Sequence, residues 1–351
     1  MSRTAPAFAA LFMASAIALH AQPAPPAAAA AATARPVDTP ALVEALAREL
    51  TASFVFPEVG ERYAAAIRAR QASGAYAGLS DPARLASTIT ADLQGVARDG
   101  HLKVFTPDML ANRPRPGMRR DTSPVAASGW LADGVAYIGF TLFPGDEETL
   151  KAVDQFIAAH KTAKVLIIDA RAHRGGGLGE MDHLFGQMFT RETALVAMDT
   201  REAVERERGS PVEDGPTLRR ASAPATVVRR VHYAVPAANP AWGDTRVYLL
   251  TSNRTASAAE HLSLALKRTR RATLVGETTA GAGHFGGMAE LPGGYGAFVP
   301  VGRTFDPDTG QGWEGTGVAP DVAVPAAQAL DKALELAGID RAKVTKPAGV
   351  N

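Results

Sequence analysis

The 351-residue chain contains no cysteine, which excludes disulfide bonds, thiolate nucleophiles and zinc–thiolate sites. Net charge is nearly absent as well, with 37 basic against 36 acidic residues. A chain without an excess of positive charge lacks the electrostatic footprint of a nucleic-acid-binding protein. We therefore expect no nucleic-acid partner, and any nucleophile of this protein is a group other than a thiol.

Motifs for common cofactors are also missing. A Gly-x-Gly-x-x-Gly pattern occurs at Gly281, Gly283 and Gly286, but no helical pattern follows it, and there is no Walker Lys-Ser/Thr pair. His-Glu-x-x-His is absent, and we interpret the single Glu-x-x-His of Glu180 and His183 as a solvated helix face. We expect neither a cofactor nor a bound metal. Basic clusters such as Arg229-Arg230 are likewise interpreted as solvated faces.

The N-terminus has the layout of a signal peptide. Arg3 precedes a largely apolar stretch from Ala7 to Leu19, and small residues follow. This stretch is too short to span a bilayer permanently. We predict a signal peptide over residues 1–21 and an Ala/Pro-rich linker over 22–37, so the mature protein is expected to be exported, periplasmic or secreted, without an integral membrane segment.

Residues 38–108 show helical periodicity and predict an N-terminal helical domain. Helix starts with a capping oxygen and a proline occur at Asp38-Thr39-Pro40 and Ser80-Asp81-Pro82. The last of three helices is expected to stop at Asp99-Gly100, with the glycine as a left-handed C-cap, and His101 follows directly. The polar, proline-rich residues 109–128 predict a linker or lid, and a core domain is expected over 129–340.

The core contains a strand-to-helix junction at Ser257. An apolar run with Val247, Leu249 and Leu250 stops at a short polar loop, and a helical pattern continues from Ala258 to a cationic end. A helix N-terminus offers unpaired N–H groups to a developing negative charge. Serine is also a common N-cap, so the junction alone does not decide between a structural and a catalytic serine.

A second feature of the core is a glycine loop. The apolar run Val165–Ile168 leads into Asp169, Arg171, His173 and then Gly175, Gly176 and Gly177, after which a helical pattern begins. Such a loop exposes N–H groups toward an anion, either a phosphate or a transient oxyanion. The absence of phosphate-binding motifs favours the oxyanion.

Taken in order, these motifs resemble those of the tail-specific, or C-terminal-processing, serine proteases, in particular the branch of the tricorn core and the interphotoreceptor retinoid-binding protein modules. The resemblance covers most of the mature chain. The segments that carry it are Asp99-Gly100-His101, Asp169-x-Arg171 with the glycine loop, Thr251-Ser252 to Glu260, Val275 to Gly281, and Glu314-Gly315-Thr316-Gly317-Val318-x-Pro320-Asp321. The segment between His101 and Trp130 is too short for the family's PDZ domain, about a hundred residues.

The resemblance implies an α+β fold, with the N-terminal helical bundle followed by a crotonase- and ClpP-like spiral αβ protease core. It implies a peptide or protein substrate, Ser257 as nucleophile, His101 as base and Glu314 as its stabilising or orienting group. The oxyanion hole would come from Ala258 and from Gly175, Gly176 and Gly177. In the bacterial processing proteases a lysine activates the serine, but Ala282 stands at that position here.

Two alternatives accompany this assignment. His284, two residues beyond the lost lysine position, is the fallback base. In the tricorn arrangement a serine links the base to the glutamate, whereas Gly100 precedes His101 here, so the role of Glu314 stays open.

Because retinoid-binding relatives use the same architecture, the competing hypothesis is a non-catalytic module that binds an apolar ligand or a peptide. The oligomeric state is not indicated by the sequence.

Overall fold

The computed structural model describes residues 37–113 and 123–345. The predicted signal peptide (1–21), the linker before residue 37 and the middle of the predicted linker or lid (114–122) lie outside the described residues. Within them, no helix is both long and apolar enough to cross a membrane. The helices are α1 (Thr39–Ser53), α2 (Pro57–Ala72), α3 (Pro82–Val96), α4 (Pro107–Ala111), α5 (Glu147–Ala159), α6 (Gly179–Met188), α7 (Glu202–Arg208), α8 (Ala258–Arg268) and α9 (Ala329–Ala337).

The strands form two six-stranded sheets. They are β1 (Lys103–Phe105), β2 (Val125–Ala132), β3 (Val135–Phe140), β4 (Val165–Asp169), β5 (Thr193–Arg201), β6 (Leu218–Ala221), β7 (Val227–Ala234), β8 (Arg246–Thr251), β9 (Thr273–Gly276), β10 (His284–Glu290), β11 (Gly296–Phe305) and β12 (Val322–Ala323). Short 3₁₀ turns occur at Pro292–Gly294, Ala326–Gln328 and Arg341–Lys343.

One sheet has the order β12-β9-β8-β4-β3-β2 and is parallel except for the edge strand β2. Its central strands β3 and β4 are buried along their whole length, which explains their continuous apolar sequences. Parallel strands present their carboxyl ends at one edge of the sheet, so the loops after β4 and β8 lie side by side. These two loops carry the glycine loop and Ser257.

The other sheet is antiparallel, in the order β1-β11-β5-β7-β6 with β10 also paired to β11. The arginine-rich segment 201–230 supplies its strand β6 and the first half of β7. Arg230 is 1% exposed and binds the carboxylates of Glu205 and Asp214, so the interpretation of Arg229-Arg230 as a solvated face is wrong for Arg230. Burial of a guanidinium is tolerated here because its charge is paired.

The helical bundle packs on this antiparallel sheet. Asp38 and Asp81 cap α1 and α3 by accepting hydrogen bonds from Ala41 and Ala83, as their positions before prolines predicted. The apolar stripes of α1, α2 and α3 share one core with Ala297 and Val299 of β11. The segment that follows the bundle, residues 97–105, therefore reaches the antiparallel sheet, which also approaches Ser257.

The end of α3 differs from the prediction. The helix stops at Val96, and its C-cap, Ala97, is extended. Gly100 is not among the residues with positive φ, so the prediction of a left-handed cap at this glycine is wrong. A Cβ on Gly100 would lie 3.1 Å from Cα and Cβ of Ala282. This close approach, rather than the helix end, explains the glycine.

Candidate active site

Ser257 occupies a strained turn between β8 and α8. Its backbone has φ 58° and ψ −118°, a region that non-glycine residues rarely adopt and that is concentrated at functional sites. Its N–H donates a hydrogen bond to Glu260 Oε2 at 2.8 Å. The strained turn directs the serine away from the ordinary helix path, toward the loops at this edge of the sheet.

Glu260 is the buried residue that holds the turn in place. Its Oε1 accepts hydrogen bonds from Thr279 Oγ1 and the N–H of Gly281, and its Oε2 accepts from the N–H groups of Ser257 and Ala282. Burial raises the pKa of this carboxyl group, and the four donors partly oppose that shift. Glu260 thus joins the serine turn to the loop that contains Ala282.

The glycine loop after β4 faces Ser257 directly. Gly175 has φ 112°, and a Cβ added there would lie 2.8 Å from Ser257 Cβ and 3.2 Å from Ser257 Oγ. A side chain at position 175 would therefore displace the nucleophile as well as strain the backbone. The sequence prediction that this loop meets Ser257 agrees with this geometry.

The N–H groups of the loop differ in their availability. Gly175 N–H donates to His173 Nδ1, and Gly177 N–H donates to Phe143 O. Those of Gly176 and Ala258 form no hydrogen bond with another residue in the described ranges. Both Gly176 and Ala258 line the cavity beside Ser257. Of the four predicted oxyanion donors, these two are placed to serve a ligand.

Glu314 binds three backbone N–H groups from two other segments. Its Oε1 accepts from Gly100 at 2.6 Å, and its Oε2 accepts from Gly283 at 2.6 Å and from His284 at 2.9 Å. The carboxylate therefore ties the corner before His101 to the loop after Gly281. Glu314 thus contacts the backbone next to the predicted base, His101. Gly100 has no hydroxyl group that could link this carboxylate to the imidazole.

Asp99 and His284 form a second contact between these segments. His284 Nδ1 lies 2.7 Å from Asp99 Oδ2, while Asp99 Oδ1 accepts the N–H groups of His101 and Leu102. Burial favours the neutral carboxyl group, but the hydrogen bond and charge of His284 and the two N–H donors outweigh it, so the pKa of Asp99 is lowered. We call Asp99, His284 and Glu314 the loop clamp.

The loop clamp has the composition of a metal site, since one ligand atom from each residue lies within 4.8 Å of the others. Its atoms, however, are already used by backbone N–H groups and by the contact between His284 and Asp99. Glu180 and His183 form no such group: Glu180 is fully buried and accepts from Gly145 N–H, and His183 contacts Asp154. The interpretation of Glu180 as solvated is therefore wrong.

His101 lies at the corner held by the loop clamp. Its ring packs on Phe298 at a centroid distance of 5.4 Å, and its Nδ1 is buried without a hydrogen-bond partner in the described ranges. Burial lowers the pKa of His101, and the nearby charges of Asp99 and Glu314 oppose this only in part. A neutral imidazole is the form that can accept a proton.

The two faces of β11 separate His101 from His284, because neighbouring side chains of a strand point to opposite faces. The His284 ring lies 6.2 Å from Phe54 and 5.6 Å from Phe56, on the face that packs on the bundle. Phe298 lies between Ala297 and Val299 of the bundle core, so its side chain points to the other face, where it contacts the ring of His101. The rings of the two histidines therefore contact opposite faces of this sheet.

The corner of His101 also abuts the position of the lost lysine. The close approach of Gly100 to Ala282 puts the corner against a residue that itself lines the Ser257 cavity. His284 is also among the residues that line the cavity; its Nδ1 contacts Asp99, which leaves Nε2 as the ring nitrogen that can accept a proton.

Comparison with known families now places the chain. The sequence model of peptidase family S41 matches residues 134–324, more than half of the chain. The chain belongs to peptidase family S41. Residues 28–133 match the N-terminal domain of S41 peptidases described from eukaryotic IRBP, which confirms the resemblance to the retinoid-binding-protein branch. Membership implies peptide or protein substrates.

Solved structures share the fold at low sequence identity. The photosystem II D1 C-terminal processing protease is 16% identical with a TM-score of 0.54, covering 87% of this chain and 98% of that one. A candidate peptidase from Parabacteroides merdae is 17% identical with a TM-score of 0.56, covering 85% and 95%. A lipoprotein from Streptococcus agalactiae is 12% identical with a TM-score of 0.50, covering 86% and 96%. The predicted α+β fold with N-terminal helices and a protease core is confirmed.

Proposed function

We propose that this S41 peptidase is an exported serine endopeptidase that acts through an acyl-enzyme intermediate on Ser257. The observation that carries the proposal is the strained turn of Ser257 against the glycine loop. Ser257 lines a small cavity together with Gly176 and Ala258, whose N–H groups have no protein partner in the described ranges. Such donors stabilise the negative charge that develops on a carbonyl oxygen under attack.

In the proposed mechanism His101 is the general base. Neutral His101 takes the proton of Ser257 Oγ as the oxygen attacks the scissile carbonyl carbon, and the carbonyl oxygen becomes an oxyanion bound by Gly176 and Ala258. His101 then gives the proton to the leaving amine as the C–N bond breaks. A water molecule, deprotonated by the same imidazole, hydrolyses the acyl-enzyme.

Glu314 and Asp99 are proposed as positioning residues. Glu314 holds the N–H of Gly100, and Asp99 holds the N–H of His101, so both fix the backbone that carries the base. Glu314 does not need to contact the imidazole for this role. His284 is proposed to orient Asp99 through its Nδ1 contact, and it is the alternative base to His101.

The cavity beside Ser257 does not favour the competing hypothesis of a non-catalytic module for an apolar ligand. The cavity beside Ser257 measures about 60 Å³, whereas pockets for drug-sized ligands have about 300–1,000 Å³. A larger cavity of about 480 Å³ is lined in part by Arg171, Asp169, Arg254 and Glu277. Its charged lining does not suit an apolar ligand.

Labelling with a fluorophosphonate probe and hydrolysis of a protein substrate test the proposal together. We expect the probe to attach to Ser257, and Ser257→Ala to lose both the label and hydrolysis. Ser87→Ala, which changes an exposed serine on α3, is the matched control and should keep both. A folded protein that neither reacts with the probe nor cleaves any substrate would overturn the proposal in favour of a binding module.

Export is a separate part of the proposal and is supported by the signal-peptide layout of residues 1–21. Expression of the whole chain in a Gram-negative host should give a periplasmic protein whose N-terminus begins after Ala18 or Ala21. Replacing the apolar stretch by a polar one should leave the protein uncleaved. If cells that express the unaltered sequence contain the protein at full length in their cytoplasmic fraction, export is contradicted.

A further inference from the structure

A chain of hydrogen-bonded polar residues ends at the small cavity beside Ser257 and has no role in the mechanism above. His261 lines the cavity, and its Nε2 lies 2.8 Å from His232 Nδ1. His232 Nε2 lies 2.7 Å from Asp182 Oδ1, and Asp182 Oδ2 accepts from Thr217 Oγ1 at 2.8 Å. Both imidazoles are at most 3% exposed. We call His261, His232, Asp182 and Thr217 the histidine chain.

The carboxylate at its outer end orients the histidine chain. Asp182 can only accept, so His232 donates from Nε2. Of the two nitrogens that face each other, His232 Nδ1 and His261 Nε2, one donates and the other accepts; with the donor assigned to His261, its Nδ1 is an acceptor. Burial, and secondarily the neighbouring His232, lowers the pKa of His261 well below its ordinary value, so the ring is neutral. The cavity wall therefore carries a hydrogen-bond acceptor.

A hydrogen-bond donor lies in the same cavity. Trp313 is 3% exposed and lines the cavity, and its Nε1–H has no partner among the residues that the structure describes. An unpaired buried donor is unfavourable, and native proteins rarely tolerate one without a ligand or a water molecule. The rest of the lining is largely apolar, with Leu178, Met198 and Phe285.

The location of the cavity tells which part of a substrate enters it. Ser257, Gly176 and Ala258 all line it, so it adjoins both the proposed nucleophile and the proposed oxyanion donors. With the scissile carbonyl held by these groups, the cavity lies next to the side chain of the same residue, on the acyl side of the bond. Its volume of about 60 Å³ is well below the range of about 300–1,000 Å³ for pockets that hold drug-sized ligands, which favours a short side chain.

From this geometry we infer that the cavity selects a hydroxyl side chain, serine or threonine, on the acyl side of the scissile bond, with Trp313 and His261 as the specificity-determining residues. A hydroxyl group can donate to His261 Nδ1 and accept from Trp313 Nε1–H at the same time. Valine has the shape of threonine but leaves both polar groups unpaired. This inference rests on the proposed peptidase function.

Matched peptides test the inference on the unaltered protein. A peptide mixture read by mass spectrometry first finds a cleaved sequence, and the residue before the scissile bond is then varied to Thr, Val, Ser and Ala. We expect kcat/KM for Thr to exceed that for Val by about tenfold or more, the effect of one lost pairing at a buried polar site. Equal rates, or faster cleavage after Val, would overturn the inference.

Two variants assign the effect to Trp313. Trp313→Phe removes the donor and keeps an aromatic ring, so the Thr/Val ratio should fall toward one. Met198→Leu changes an apolar residue of the same cavity at nearly constant volume, so the ratio should stay high. An unchanged ratio in Trp313→Phe would overturn the role of the indole.

Two outcomes separate this inference from the proposed function. If the fluorophosphonate labels Ser257 and the Thr and Val peptides are cleaved equally fast, only this inference is rejected. If neither labelling nor cleavage occurs, the peptidase function is rejected with it.

Discussion

The loop clamp and the histidine chain both pair carboxylates with histidines near Ser257, yet their donors differ. In the loop clamp, Glu314 accepts three backbone N–H groups and Asp99 accepts two. In the histidine chain, Asp182 accepts only from side chains, His232 and Thr217. A backbone N–H can never become an acceptor, whereas hydroxyl and imidazole groups can exchange roles. The loop clamp should therefore be the less tolerant of the two to loss of a carboxylate.

Glu314→Gln should have the largest effect. An amide has one accepting oxygen, so at least one of the three N–H groups meets another donor and loses its charge-assisted bond. We expect a loss of about 2–4 kcal/mol in the free energy of unfolding and a fall of about a hundredfold in kcat, because the His101 corner loosens. Urea unfolding and steady-state kinetics check this. A variant with native stability and rate would show that the loop clamp is dispensable.

Asp182→Asn is the matched change in the histidine chain and should cost much less. The amide oxygen can accept from His232, and the Thr217 hydroxyl can turn to accept from the amide nitrogen, so each contact survives. We expect a loss of about 1 kcal/mol or less in the free energy of unfolding and a nearly normal rate of fluorophosphonate labelling. A loss as large as that of Glu314→Gln would remove the distinction between the two regions.

Gly100→Ser sharpens the comparison by adding a side-chain donor to the loop clamp. A hydroxyl at this position could bridge Glu314 and the unpaired Nδ1 of His101, and one hydrogen bond of about 1 kcal/mol corresponds to about a fivefold gain in kcat. Gly100→Ala is the control: it brings the same 3.1 Å approach to Ala282 without a hydroxyl, and should lower kcat. Equal rates in the two variants would contradict the proposed bridge.

The pH profile should show the smallest effect. Burial lowers the pKa of His101, so its ring stays neutral, and able to accept a proton, as the pH falls through 6.5, its ordinary value. The acid limb of kcat/KM should therefore lie below pH 6.5. Asp99, with a lowered pKa, stabilises the fold above its unfolded-state value and loses this contribution only as the pH falls below 3.8. An acid limb at or above pH 6.5 would contradict a buried, neutral His101.

Much of the parallel sheet followed from local patterns. Its strands β3, β4, β8 and β9 are short apolar runs, and the turn at Ser257 lies between such a run and a helix with a cationic end. Each of these features depends on neighbouring residues alone. The positions of Ser257 and of the glycine loop could therefore be predicted before their contact was known.

The antiparallel sheet and the loop clamp could not be predicted in the same way. The arginine-rich residues 201–230 form α7, β6 and β7 because charges such as those of Arg230 and Glu205 pair across the fold, which no local pattern shows. β10 begins at His284 within a segment interpreted as a glycine-rich loop, and it is stabilised by pairing with β11. Asp99 and His284 are far apart in sequence, so only the fold reveals their contact. The Asp99-Gly100-His101 motif was the available signal for Asp99.

The rate of fluorophosphonate labelling at Ser257 in three histidine variants tests the central claim most directly. We predict that His101→Ala lowers the rate by about a thousandfold or more, that His284→Ala lowers it about tenfold because the base is only less well held, and that His183→Ala, on the surface of α6, leaves it unchanged. Loss of labelling in His284→Ala with a normal rate in His101→Ala would contradict the account and make His284 the base.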